Sequence, residues 1–140
     1  MSLAQAYLPQ LFVMVALSFA VTLWILITRL DDLLIKRKPL SYYEDWDGTG
    51  ASAAVMRPTR QLANLFEFPV LFYSVVVLIV SLAVKDTWLP SLCWCFVVLR
   101  CLHAIIHIAF NRLWMRTPIF MVSQLFLLGI WVRFGLAVLG

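Results

Sequence analysis

The sequence predicts an all-α integral membrane protein, a four-helix antiparallel bundle, on three observations. Apolar residues make up 64% of the 140 residues and the mean hydropathy is +0.95, whereas soluble domains are nearer one half apolar. Charged residues are only 13% of the chain and collect at the ends of apolar runs. There are four such runs, each of roughly 20 residues, the length of one bilayer crossing. A single domain over residues 1–140 is expected, with helices at about 7–36, 58–84, 88–113 and 117–139 and a polar loop over 38–57.

The first run, Tyr7 to Thr28, carries no charge and is followed by Arg29, Asp31, Asp32 and Lys36–Lys38. Asp32 and Lys36 stand i, i+4 in the favourable polarity, which extends the helix past the membrane until Pro39 stops it. The run lacks a basic n-region and a small-residue cleavage site, so it is not expected to be a removable signal. The loop that follows holds Glu44, Asp45, Asp47, Gly48 and Gly50, a flexible link. Its Gly-x-Gly follows no strand and is no nucleotide fingerprint. Tyr42, Tyr43 and Trp46 suit a membrane interface.

Pro58 is a good first-turn residue for the second run, and Pro69 predicts a bend within it. The third run, Trp88 to Phe110, contains all three cysteines. Cys93 and Cys95 lie about 200° apart around a helix, a poor arrangement for a shared metal, and all three are read as small packing residues. The fourth run, Pro118 to Leu139, carries one charge, Arg133, which can snorkel to the interface.

Four crossings place both termini on one side. Arg29, Lys36, Arg37, Lys38, Arg57, Arg60, Arg112 and Arg116 then share one face, against Lys85 and Arg133 on the other. The positive-inside rule makes the first face cytoplasmic, with loops one and three inside and the termini opposite. A compact chain without tails fits a bacterial inner membrane. The net charge of +4 comes from these anchors, and no nucleic-acid partner is expected.

Two polar stretches interrupt the apolar runs. Arg60, Asn64 and Glu67 are spaced i, i+4, i+7, and Arg100, His103 and His107 are spaced i, i+3, i+7, so each set shares one helical face. Ionisable groups in hydrocarbon are costly, face a bundle interior and mark function. Glu67 lies about 10 Å deeper than Arg60. With the second turn centred near Lys85, it is expected level with His103 and His107, with Arg100 about one turn deeper. The result is a cationic pocket open to the cytoplasm. Arg60, Arg100, Arg112 and Arg116 suit carboxylates, and Asn64 and Glu67 suit amide and ammonium groups. Arg112 and Arg116 also fit an ordinary role as anchors at a helix end. A small zwitterionic peptide with two carboxylates, beside an apolar co-substrate, would fit; so would a lipid headgroup. His103 and His107 lack the glutamate of His-Glu-x-x-His, so no metal is expected.

These motifs resemble the MAPEG family, membrane-associated proteins of eicosanoid and glutathione metabolism, and most closely its microsomal glutathione transferases. The resemblance rests on Arg60-x-x-x-Asn64-x-x-Glu67 with Pro69, and on Arg100-x-x-His103-x-x-x-His107 with Arg116-Thr-Pro118, in that order. It implies a homotrimer with glutathione held between subunits near the cytosolic face. Arg60, Asn64, Glu67 and Arg100 match glutathione-binding positions; His103 and His107 fall where contacts to it occur, although a tyrosine is common at the place of His107. Lys36 or Arg37 matches a basic residue at the end of the first run. Arg116 matches the arginine that holds the glutathione thiolate. The implied activity is transfer of glutathione to a lipophilic electrophile, or peroxide reduction. The resemblance also leaves room for a non-enzymatic member that binds lipid or presents a partner. A guanidinium cannot lose its charge and so stabilises a thiolate, whose parent thiol is mostly protonated at neutral pH.

Overall fold

A computed structural model describes residues 2–39 and 52–140. The described helices are α1 (Leu3–Leu30), continued by a π-helical turn (Asp31–Ile35), then α2 (Ala53–Leu65), α3 (Pro69–Ser81), α4 (Leu89–Ala109) and α5 (Leu113–Leu139). No strand occurs among the described residues. Four segments are long and apolar enough to cross a membrane: Leu3–Ile35, Ala53–Ser81 (α2 with α3), Leu89–Ala109 and Leu113–Leu139. Most of the expected polar loop, including Tyr42, Tyr43, Trp46 and the Gly-x-Gly, lies outside the described residues.

Each helix has a physical start. Ser2 and Gln5 form a reciprocal capping box on α1: the Ser2 amide donates to Gln5 Oε1 (2.9 Å) and the Gln5 amide to Ser2 Oγ (3.2 Å). Pro9 inside α1 removes a backbone donor, and the side chain of the next residue, Gln10, donates to the Ala6 carbonyl one turn back at 2.8 Å. α2 begins at Ala53, about a turn and a half before Pro58, so that proline sits inside the helix. Pro69 does break the second run: α2 ends at Leu65, and α3 starts afresh with Pro69 at its first position. Residues 66–68 form the bend.

The core is one stripe per helix. α1 turns in Tyr7, Gln10, Met14, Val21 and Ile25. α3 supplies Phe72, Val75, Val76 and Ile79. α4 supplies Leu89, Cys93, Phe96 and Val97, and α5 Leu127, Ile130 and Phe134. Phe72 and Phe96 stack at 4.7 Å across the α3–α4 contact. Cys93 is sealed in this core, Cys95 faces outward, and all three cysteines are free thiols. The remaining faces stay apolar: only 17% to 44% of the most apolar window of each span is buried, so most of those side chains face the surroundings and need lipid or another apolar surface to cover them.

α4 and α5 pack most extensively, joined by the tight turn at Phe110–Arg112. The turn between α3 and α4 is held by Asp86. Its Oδ1 accepts from the amides of Trp88 (2.7 Å) and Leu89 (3.0 Å), capping α4, while Oδ2 pairs with the Arg133 guanidinium from α5. Arg133 is therefore an ion-pair partner that ties α5 to this turn. Burial alone would raise the Asp86 carboxyl. The hydrogen bond from Arg133, with those from the Trp88 and Leu89 amides, outweighs it and holds the group below the ordinary carboxylate range. At the other end of α1, Lys36 bridges Asp31 and Asp32, each at 2.7 Å, and Lys38 reaches Asp32 at 3.1 Å. Those bonds, Asp31 first, hold the Lys36 ammonium above its ordinary range.

A depressed carboxyl stabilises the fold above its unfolded value, about pH 4, and the contribution is lost as pH falls through the folded value. Asp86→Asn should therefore lower the melting temperature in detergent at pH 7, by a cost of about 1–2 kcal/mol. It should also flatten the loss of stability between about pH 5 and pH 3. Thermal melts of both proteins across that range check this; identical curves would remove the Asp86–Arg133 pair from the account.

Candidate functional site

The stripe that is apolar in the middle of α4 turns polar toward its C-terminal half, where Arg100, His103 and His107 occupy inward positions. All three are buried, Arg100 completely, at 0% exposure. α2 crosses α4 here and brings two amides against them. Arg100 Nη2 donates to the Asn64 backbone carbonyl at 3.0 Å and to its side-chain Oδ1. His107 Nδ1–H donates to Gln61 Oε1 at 2.8 Å. The first turn of α5 closes the third side. His103 Nδ1–H donates to the Arg116 backbone carbonyl at 3.1 Å, and the Phe120 ring lies 5.5 Å from His103 and 5.4 Å from the Arg100 guanidinium carbon. Asn64, His103, His107, Arg116, Thr117 and Phe120 line a cleft of about 180 Å³.

The electrostatics of this corner are unbalanced. Arg100 Nε and Nη1 have no hydrogen-bond partner, and neither does Gln61 Nε2. All three are buried donors. A buried polar group without a partner costs about 1–3 kcal/mol, and a charged group costs more. Native interiors satisfy such groups unless a ligand or ion does so. What the corner lacks is hydrogen-bond acceptors: the Glu67 carboxylate acts on Arg100 through charge alone, without an ion pair among the described residues.

The expected pairing of Glu67 with the histidines does not form. The bend at 66–68 takes Glu67 off the face shared by Arg60 and Asn64, and it is exposed. It makes no ion pair among the described residues. Asn64 instead of Glu67 meets α4, and it meets Arg100 instead of a histidine. Arg60 is likewise exposed. Arg116 reaches Asn111 Oδ1 through Nη1 at 2.7 Å. Arg112 lies outside the cleft on the exposed turn before α5. Lys36 and Arg37 sit at the end of the π-helical turn, Lys36 between its two carboxylates and Arg37 exposed with φ 53°. The cleft thus unites Asn64, His103, His107 and Arg116, with Arg100 against Asn64 and Phe120; Arg60, Glu67, Lys36 and Arg37 do not line it.

Four further residues belong to the site. Gln61 holds His107, and Thr117 and Phe120 line the cleft. Asn111 adopts the left-handed region (φ 49°), ends α4 by donating to the Ile106 carbonyl at 2.8 Å, and holds Arg116. Gln61 could have been found as a second amide, three residues before Asn64, on a helix entering the membrane. Asn tolerates positive φ better than most residues, which marks Asn111 as a turn. Phe120 has no such signal. Among the described residues no group of three or more His, Cys, Asp or Glu gathers to hold a metal ion.

One comparison decides the kinship. The model of the MAPEG family matches residues 8–136, nearly the whole chain and all four spans. The chain belongs to the MAPEG family. It is accordingly a multi-pass membrane protein of a family in glutathione and eicosanoid metabolism. No curated protein and no solved structure gives a significant match to the chain.

The imbalance makes an ordering of stabilities. Asn64→Leu removes the side-chain acceptor and leaves Arg100 Nη2 only the backbone carbonyl of residue 64, a cost of about 1–3 kcal/mol. Arg100→Met removes the charge along with its needs and should melt no lower than the parent. Thermal melts of ligand-free protein check this. Arg100→Met melting lower than Asn64→Leu would mean that Arg100 is a structural support.

Proposed function

We propose that this MAPEG protein is a glutathione-dependent transferase or peroxidase, acting on a lipophilic electrophile dissolved in the membrane. The observation that carries the reading is Arg100: a fully buried cation with two unpartnered donor nitrogens beside a cleft. Glutathione brings two carboxylates for such donors, and its amides match Asn64 and Gln61. Arg116 lines the same cleft, and in this reading its guanidinium, which Asn111 holds through Nη1, serves the sulfur. It stabilises the thiolate, which attacks an electrophilic carbon or the oxygen of a peroxide. No protein nucleophile is needed.

Arg60 and Glu67 enter through assembly. Both are exposed on the subunit surface in a chain that crosses the membrane, where uncovered charge costs several kcal/mol. We infer a homotrimer in which a neighbouring copy covers this face, so that glutathione lies between subunits with Arg60, Asn64, Glu67 and Arg100 on one wall. Lys36 and Arg37 stand at the end of the first span on the same basic face, which the distribution of Lys and Arg makes cytoplasmic. The lipophilic substrate arrives laterally, along the apolar outer faces.

Purified protein in detergent should bind glutathione at millimolar concentration by calorimetry and conjugate it to a reactive aryl halide. Absence of binding overturns the reading; binding without turnover on aryl halides or hydroperoxides returns the protein to a lipid-binding or partner-presenting role. Arg116→Ala should lower kcat by about 10²-fold or more while leaving glutathione affinity within a few-fold, since it serves the developing thiolate alone. Unchanged turnover removes Arg116 from the mechanism.

A further inference from the structure

We propose that His103 is the base that takes the proton from the ligand's thiol, its Nε2 being left as the lone-pair nitrogen of the neutral ring because Nδ1 donates its hydrogen to the main chain of Arg116. The proposal rests on the glutathione reading above and adds the missing proton acceptor to it. The partner of His103 Nδ1 is a backbone carbonyl, at 3.1 Å. A carbonyl oxygen only accepts, so Nδ1 carries the hydrogen and Nε2 carries the lone pair. The ring is 4% exposed and lines the cleft beside Arg116. Nε2 makes no hydrogen bond to any described residue. His107 lines the same cleft and is tied in the same sense through Nδ1, but its partner is a side-chain amide on α2 instead of the main chain of Arg116.

The same residue anchors both halves of the chemistry. The main chain of Arg116 orients the imidazole, and the Arg116 side chain supplies the cation for sulfur. Base and cation are therefore in fixed register at the first turn of α5. In the step proposed, the S–H bond breaks, its electron pair stays on sulfur, and the proton passes to His103 Nε2. Sulfur then forms a bond to the electrophilic carbon, and the aryl halide loses its halide with the bonding pair. The imidazolium keeps its Nδ1–H on the Arg116 carbonyl and returns the Nε2 proton to water at the exposed Thr117 end of the cleft. The charged and titratable groups facing the ring are Arg100 and His107 on α4 and Arg116 on α5; α2 presents Asn64, and Arg57 and Arg60 nearer His107. No carboxylate contacts the ring among the described residues to retain the proton.

The discriminating variant is His103→Asn. Its amide nitrogen stands where Nδ1 stood and can keep the bond to the Arg116 carbonyl, but nothing remains to accept a proton. Its kcat for the aryl halide at pH 7 should fall about 10²-fold, within the usual range for a lost general base, with glutathione affinity by calorimetry unchanged within twofold. The deficit should shrink as pH rises, because the thiol then ionises unaided, and added imidazole should restore part of the rate. His107→Asn should show neither the pH-dependent deficit nor the rescue. If the parent turns over and His103→Asn matches it at pH 7, or loses rate equally at every pH with no rescue, His103 is not the base and the glutathione reading stands. If the parent neither binds glutathione nor turns over, that reading falls and takes this proposal with it.

Discussion

Arg100 Nη2 donates to both oxygens of Asn64, and through that contact α4 is tied to the last turn of α2 inside the membrane-spanning part of the bundle. The rest of the polar corner is arranged around it. Phe120 of α5 lies against the guanidinium, His103 is held by the first turn of α5, and His107 is held by Gln61 one turn from Asn64. Three helices meet on one cation whose remaining nitrogens are unpartnered. A fold selected only for stability would place a methionine or leucine there, because a buried charge rarely repays its desolvation. The cost is consistent with a site that waits for negative charge.

The two ends of the bundle are held by different polar contacts. At the Asp86 end a carboxylate satisfies two amides and a guanidinium and ties α5 to the turn before α4, while the buried Tyr7 hydroxyl beside it has no hydrogen-bond partner among the described residues. At the Arg100 end donors outnumber acceptors, and a cleft of about 180 Å³ opens beside them. The bend at 66–68 serves the same division. It lets α2 follow α4 closely enough for Asn64 and Gln61 to reach inward, while Glu67, within the bend, is exposed on the surface that the proposed trimer would cover.

Much of this was legible in the chain. Four apolar runs of bilayer length gave the class, because nothing but paired backbone in helices or closed barrels is tolerated in hydrocarbon. The spacing of Arg100, His103 and His107 gave their common inward face, since α4 is unbroken there and 3.6-residue periodicity holds. The same reasoning failed for Glu67, where Pro69 restarts the helix and breaks the periodicity two residues earlier. Depth also slipped by about a turn, because α3 ends at Ser81 and the chain turns before Lys85, at Ala83 with φ 53°. The role of Arg133 was not legible at all. Its partner Asp86 is 47 residues away, and only packing of α5 beside the turn brings them together. Phe120 and Thr117 were hidden for the same reason.

The central claim is that the unpartnered donors of Arg100 are there for a ligand's carboxylates. The most direct measurement compares the thermal stabilisation of the detergent-solubilised protein by glutathione with that by glutathione esterified at both carboxylates, at equal concentrations well above the dissociation constant for glutathione. Ligand that binds only the folded form raises the melting temperature in proportion to its affinity. The account predicts a clear rise with glutathione and almost none with the diester. Equal rises with the two, or no rise with either, would contradict it.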